Sequence, residues 1–197
     1  MQNSIPTVVE TLFLLPMTIL FLIACIPITL KVIGDNREPA NAVSLGISLF
    51  GLAAAAVLTV FKTHTSSAPI LSGALVFDQM ATFSNLGVLA IAAFTLLMSK
   101  TGVNTKGQSY AEHCFLVLLS SIGMMILNSS ADLMVAFVGL EIMSISLYIL
   151  IGIGHEQLFS KEAAFKYFIL GSFASAIFLY GIALMFGTAG TTSLAAL

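Results

Sequence analysis

Six apolar runs of this chain are each long enough to cross the hydrocarbon core of a lipid bilayer. That core contains no water to satisfy the backbone polar groups, and the runs lack the alternation of barrel strands, so each run must be a helix. The sequence therefore predicts an all-α membrane protein, a polytopic bundle of about six transmembrane helices. The predicted spans are residues 12–30, 42–61, 80–99, 111–128, 133–153 and 163–187.

Composition excludes several classes of function. Only 8% of the residues are charged, against about 25% in soluble domains. The seven Lys and Arg residues are scattered singly, so we expect the lipid bilayer as a partner and no nucleic acid. Cys25 and Cys114 lie in separate apolar runs, and His64, His113 and His155 fall in or beside loops without metal-ligand spacing. We therefore expect no metal site, no cofactor site and no redox chemistry in this chain.

The joints between spans predict the order and orientation of the bundle. Only about three residues separate the fourth and fifth spans, which predicts a tight antiparallel hairpin. Asp78 and Asp132 precede the third and fifth spans, where an aspartate typically caps a helix N-terminus. The loops after the first, third and fifth spans hold most of the cations, so the positive-inside rule places those loops in the cytoplasm and the N-terminus outside. Those cations are Lys31, Arg37, Lys100, Lys106 and Lys161, against Lys62 on the other side.

Glu141 lies near the middle of the fifth span. A charged side chain at that depth costs about 2.5 to 3.5 kcal/mol on insertion scales, so an intramembrane acid indicates function. Burial disfavours the charged form of a carboxyl group and a nearby cation favours it, and this opposition allows proton exchange near neutral pH. Helical spacing places Ser144 and Tyr148 on the same face, as a predicted polar stripe inside the bundle. The alternative is that Glu141 only makes a packing hydrogen bond between helices.

Lys166 lies one turn into the sixth span, and Glu162 precedes it by four residues. Two interpretations stay open: a lysine that extends to the membrane interface, or a proton relay and buried partner for Glu141. Farther along, Gly171 and Ser175 form a small-xxx-small pattern that lets a helix approach its neighbour closely. We interpret that pattern as a packing feature.

The last seventy residues resemble the antiporter-like subunit N family of respiratory NADH:quinone oxidoreductase, or complex I, which includes mitochondrial NADH dehydrogenase subunit 2. The resemblance rests on GLE at 139–141 with S-x-x-L-Y at 144–148, and on E-A-A-x-K-Y, G-x-x-A-S and L-Y-G in the sixth span. A D-Q-M-A-T-F stretch at 78–83 also resembles the family's Asp-containing helix start. Glu141 matches the family's mid-membrane glutamate, and Lys166 matches the lysine of the following helix.

The resemblance implies a membrane subunit that takes part in proton translocation coupled to electron transfer from NADH to quinone. Residues 1–109 would be peripheral helices one to three, and residues 110–197 would begin the antiporter-like proton-translocating domain with helices four to six. Family members have about fourteen helices, so the chain resembles an N-terminal fragment of a larger fold.

By the same resemblance, Glu141 and Lys166 would form the proton pathway, supported by Ser144, Tyr148 and Glu162. NADH, flavin, iron-sulfur clusters and quinone would be handled by the other membrane and peripheral subunits of a complex in a bacterial plasma membrane. The alternatives are a cation/proton antiporter subunit, or a structural or assembly subunit without a transport role of its own.

Overall fold

In the computed structural model, six long helices follow one another in an up-and-down order. The structure describes residues 8–33, 41–62, 70–71, 73–102, 109–153 and 158–197. All six helices are long and apolar enough to cross a membrane. Within those ranges the chain forms no strand longer than an isolated bridge, and the predicted all-helical multi-pass class is confirmed. The helices are α1 (Val8–Ile33), α2 (Asn41–Lys62), α3 (Gln79–Gly102), α4 (Tyr110–Ser129), α5 (Leu133–Gly152) and α6 (Leu158–Ala189).

The first and last helices are longer than the apolar runs predict. The last helix begins at Leu158, five residues before the predicted start, and takes Lys161 and Glu162 into its first turns. Apolar length marks only the part of a helix that lipid must cover. Helix-favouring polar residues can extend the helix beyond it, because the backbone bonds remain satisfied.

The main hydrophobic core surrounds α4. Its buried side chains come from the first four helices and include Leu20, Leu96, Leu118 and Met125. Helix α5 packs against α4, and α6 packs against α5. Most of α6 is exposed in this chain, with Ile182 its one buried residue. The first three helices thus share a core with α4, and the domain division between residues 109 and 110 stays a prediction.

Two aspartates start the third and fifth helices in the predicted way. The Asp78 Oδ1 atom accepts a hydrogen bond from the backbone N–H of Ala81 at 2.7 Å. The Asp132 Oδ1 atom accepts from Met134 at 2.8 Å and from Val135 at 3.4 Å. Each bond satisfies a backbone donor that a helix N-terminus leaves without a partner.

The short joint between α4 and α5 lies between two extended segments. On one side, the Ala131 N–H donates to the Ala74 carbonyl at 2.9 Å. On the other side, the Leu133 N–H donates to the Thr192 carbonyl at 2.9 Å. These backbone bonds fix the position at which α5 begins, and through the rigid helix they fix the depth of Glu141.

Two glycines bring α4 and α5 into close contact. A Cβ atom added at Gly123 would lie 2.8 Å from the Gly139 carbonyl oxygen, and one added at Gly139 would lie 2.8 Å from the Leu127 backbone nitrogen. Only hydrogen fits at both positions. The crossing lies two residues from Glu141, so it also fixes the rotation of α5 beside that residue.

Candidate functional site

Glu141 is the ninth residue of the twenty-residue helix α5. The helical rise places it about 12 Å from the first residue of the helix and about 16 Å from the last. The predicted depth, near the middle of the span, is therefore present in the structure. The side chain is half-buried and faces α6.

The hydroxyl group of Ser175 on α6 donates a hydrogen bond to the Glu141 Oε1 atom. This bond joins the centres of two antiparallel helices, and it involves a residue that the sequence indicated only as a packing position. A bond to a charged acceptor is stronger than one between neutral groups. Ser175 is the polar contact of Glu141 that sequence reasoning missed.

One face of α6 contacts α5 on both sides of this bond. Its residues recur at alternating intervals of four and three, as expected for one side of a helix. They are Ala164, Phe168, Gly171, Ser175 and Phe178. We call these residues, together with the α5 residues that they contact, the α5–α6 seam. Its small residues let the helices approach closely, as the small-xxx-small pattern predicts.

Tyr148 lies in the same seam as Glu141, about two turns farther along α5. Its ring is perpendicular to the rings of Tyr167, at a centroid distance of 4.9 Å, and Phe168, at 5.8 Å. Ser144 lies between Glu141 and Tyr148 along α5 and is buried. The structure thus places the predicted polar stripe inside the bundle. A cavity of about 380 Å³, lined by Tyr148 and Lys161 among others, lies at that end of the seam.

Lys166 lies on the other side of α6. Its Nζ atom forms an ion pair with the Glu162 Oε1 atom at 2.6 Å, and the two side chains are 69% and 56% exposed. Nine residues separate Lys166 from Ser175, which turns the lysine by half a revolution and moves it about 13 Å along the helix axis. The structure therefore joins Lys166 to Glu162 and does not bring it to Glu141.

Another ion pair, which joins two helices, was not predicted. The Lys31 Nζ atom of α1 lies 2.7 Å from the Glu112 Oε1 atom of α4, with side chains 20% and 35% exposed. Eighty-one residues separate the two, so no local pattern signals the contact.

Of the three histidines, His113 belongs to the first turns of α4 and stacks on Tyr110 at a centroid distance of 6.0 Å. His64 and His155 lie outside the described residues. In the part of the chain that the structure describes, no three His, Cys, Asp or Glu side chains gather as they would around a metal ion.

The sequence of this chain is similar to that of known proteins. Residues 130–197, which include Glu141 and the whole seam, match the family model described as NADH:quinone oxidoreductase/Mrp antiporter, TM. The NADH-quinone oxidoreductase subunit N of Bdellovibrio bacteriovorus is 44% identical over 185 residues, which cover 94% of this chain and 38% of that protein. The subunit N of Azorhizobium caulinodans is 36% identical over 176 residues, covering 88% of this chain and 37% of the relative.

A solved structure agrees with the sequence relatives. A chain of respiratory complex I from Thermus thermophilus with bound aureothin superposes with a TM-score of 0.73 at 27% identity, covering 91% of this chain and 38% of that one. The present chain thus spans less than two fifths of the length of the relatives named here. Along nearly all of its own length, the chain is a homologue of the subunit N family of NADH:quinone oxidoreductase.

Proposed function

We propose that this chain is part of a membrane subunit of NADH:quinone oxidoreductase and takes part in proton translocation coupled to electron transfer from NADH to quinone. The observation that carries the proposal is the place of Glu141, at mid-span in the α5–α6 seam with a hydroxyl donor from the neighbouring helix. An acid at that depth is costly, and its presence there therefore indicates a function. The homologues named above carry the same complex in their names.

In this proposal Glu141 takes up and releases the proton. Moving one elementary charge against 100 mV requires about 2.3 kcal/mol, so a neighbouring charge or contact must change to drive the release. The electron-transfer cofactors and quinone would belong to other subunits of the complex, with which this chain would assemble in a bacterial plasma membrane. Translocation, not redox chemistry, would be its part in the enzyme.

Lys166 and Glu162 are the second charged element of the proposed pathway. Because they lie on the opposite face of α6, they would influence Glu141 across the helix and not by direct contact. At roughly 15 Å and an effective dielectric constant of about 20, two unit charges interact by on the order of 1 kcal/mol. Formation or separation of the Lys166–Glu162 pair would therefore change the electrostatic environment of Glu141.

The test of the proposal is Glu141→Gln in an otherwise complete complex. We expect normal assembly on a native gel and a large loss of protons pumped per NADH oxidised, because glutamine keeps the size of the side chain but cannot release a proton. Glu112→Gln is the matched control, an acid-to-amide change in a helix first turn away from the seam, and should pump normally. Wild-type pumping by assembled Glu141→Gln would instead support a structural or assembly role.

A second candidate function has one observation in its favour, since the matching family model is also described by the Mrp antiporter. A cation/proton antiporter subunit would exchange Na⁺ for protons in vesicles without NADH. Exchange of that kind, abolished by Glu141→Gln, would favour the antiporter. Its absence, together with NADH-dependent pumping, would favour the complex I subunit.

A further inference from the structure

The Ser175 hydroxyl is placed to serve Glu141 in both of its protonation states. It donates to Glu141 Oε1, and a serine hydroxyl can also rotate to accept a bond from a protonated carboxyl group. The contact therefore orients the Glu141 carboxyl group, in addition to joining the two helices.

Few other groups are placed to share this role. On α4, Gly123 contacts Gly139 and so lies at about the same membrane depth as Glu141. The surrounding part of α4, residues 115–129, contains no titratable side chain. On α5 itself, the Tyr148 backbone lies about two turns from Glu141, but its hydroxyl reaches Gly171, one turn from Ser175 on α6, and its ring packs on Tyr167. The charged residues of α6 that precede Ser175 are the exposed Lys161 near its start and the Lys166–Glu162 pair on the opposite face.

We propose that Ser175 is a positioning residue for proton transfer at Glu141: it holds the carboxyl group in the α5–α6 seam, in the orientation from which that group exchanges its proton. The inference rests on the proposed function and deepens it, since it names the group on α6 through which a movement of that helix reaches Glu141. A shift or rotation of α6 that lengthens the contact would weaken support for the charged carboxylate. Proton uptake would then follow helix movement.

The test compares three variants in the complete complex by the pH profile of NADH-driven proton pumping. Ser175→Ala removes the hydroxyl and should shift this profile, because Glu141 loses the group on α6 that holds its carboxyl group in place. Ser175→Thr keeps the hydroxyl and should restore the wild-type profile. Ser172→Ala is the matched control, a serine three residues away on an exposed part of the same helix, and should leave the profile unchanged.

The inference is wrong if assembled Ser175→Ala gives the wild-type profile, or if Ser172→Ala shifts it equally. If Ser175→Ala fails to assemble, Ser175→Cys replaces it, since the thiol has a similar shape and is a weaker donor. An intermediate shift is then expected, and an unshifted profile overturns the inference. A pumping defect in Glu141→Gln with a normal Ser175→Ala profile rejects only the role of Ser175. Normal pumping in Glu141→Gln rejects the proposed function itself.

Discussion

The phenol ring of Tyr148 lies directly against the Cα atom of Gly171, so that a Cβ atom at this glycine would overlap the tyrosine hydroxyl and lie 2.6 Å from Cζ. The ring cannot easily turn away, because Tyr167 and Phe168 enclose its edges. This contact sets the distance between α5 and α6 one turn from the Glu141–Ser175 hydrogen bond.

Gly171→Ala should separate the two helices. Overpacking a tight contact costs about 1 to 3 kcal/mol, and we expect lower thermal stability and less assembled complex on a native gel. Gly181→Ala is the control, since a Cβ atom there meets nothing within 4 Å and alanine favours the helix. Equal stability of the two variants would show that the Tyr148 contact does not limit the approach of the helices.

Gly139→Ala should be at least as harmful at the α4–α5 crossing. The atoms nearest the added methyl group belong to the backbone of α4, at Leu127 and Gly123, and backbone cannot move aside as a flexible side chain can. We expect the free energy of unfolding to fall by roughly 2 to 3 kcal/mol. The measurement is the temperature at which the protein aggregates on heating, which should fall. Gly87→Ala on α3, where nothing lies within 4 Å, should behave like the wild type.

Asp132→Ala should weaken the start of α5. The change removes the cap on Met134 and Val135 and also the bond that Asp132 Oδ2 accepts from the Thr192 hydroxyl at 2.5 Å. Loss of an N-cap costs about 1 to 2 kcal/mol. Asp132→Asn keeps the capping oxygen and should lose much less stability, so similar losses for both variants would contradict the capping role.

The Lys31–Glu112 ion pair should contribute little to stability. Both side chains are partly exposed, and such pairs are usually worth about 1 kcal/mol or less. A double-mutant cycle with Lys31→Gln and Glu112→Gln measures the coupling from the thermal stabilities of the four proteins. A coupling of several kcal/mol would mean that the pair is desolvated by neighbours beyond this chain.

Lys166→Gln should reduce pumping several-fold without loss of assembly, if the charge of Lys166 acts on Glu141 across α6. Lys161→Gln is the control, an exposed lysine in the first turn of the same helix. Glu162→Gln should change pumping in the sense opposite to that of Lys166→Gln, because it removes the counter-charge. Normal pumping with Lys166→Gln would exclude the lysine from the pathway.

Much of the architecture followed from local patterns in the sequence. Apolar length predicted six helices, and the depth of Glu141 followed from its place within one of them. Asp78 and Asp132 could be predicted as caps because an N-cap depends on neighbours in sequence. The tight α4–α5 hairpin followed from a three-residue joint. Whether the N-terminus lies outside, as the loop cations predict, stays a prediction.

The contacts that complete the site depend on how helices face one another. Helical geometry alone puts Lys166 opposite Ser175, but the sequence does not say which of those two faces meets α5. The tight packing of Gly171 against Tyr148 decides that, and it gives Glu141 the neutral donor Ser175 as its neighbour in place of the lysine. The Lys31–Glu112 pair has the same origin in the packing of α1 on α4.

The central claim is that Glu141 changes protonation during turnover, and infrared difference spectroscopy of the complete complex measures this most directly. Comparing spectra with and without NADH oxidation, we expect a carboxylic acid C=O band that appears or disappears in the wild type. That band should be absent in Glu141→Gln and altered in Ser175→Ala, because the hydroxyl contact changes the environment of the same group. An identical band in the wild type and in Glu141→Gln would contradict the account.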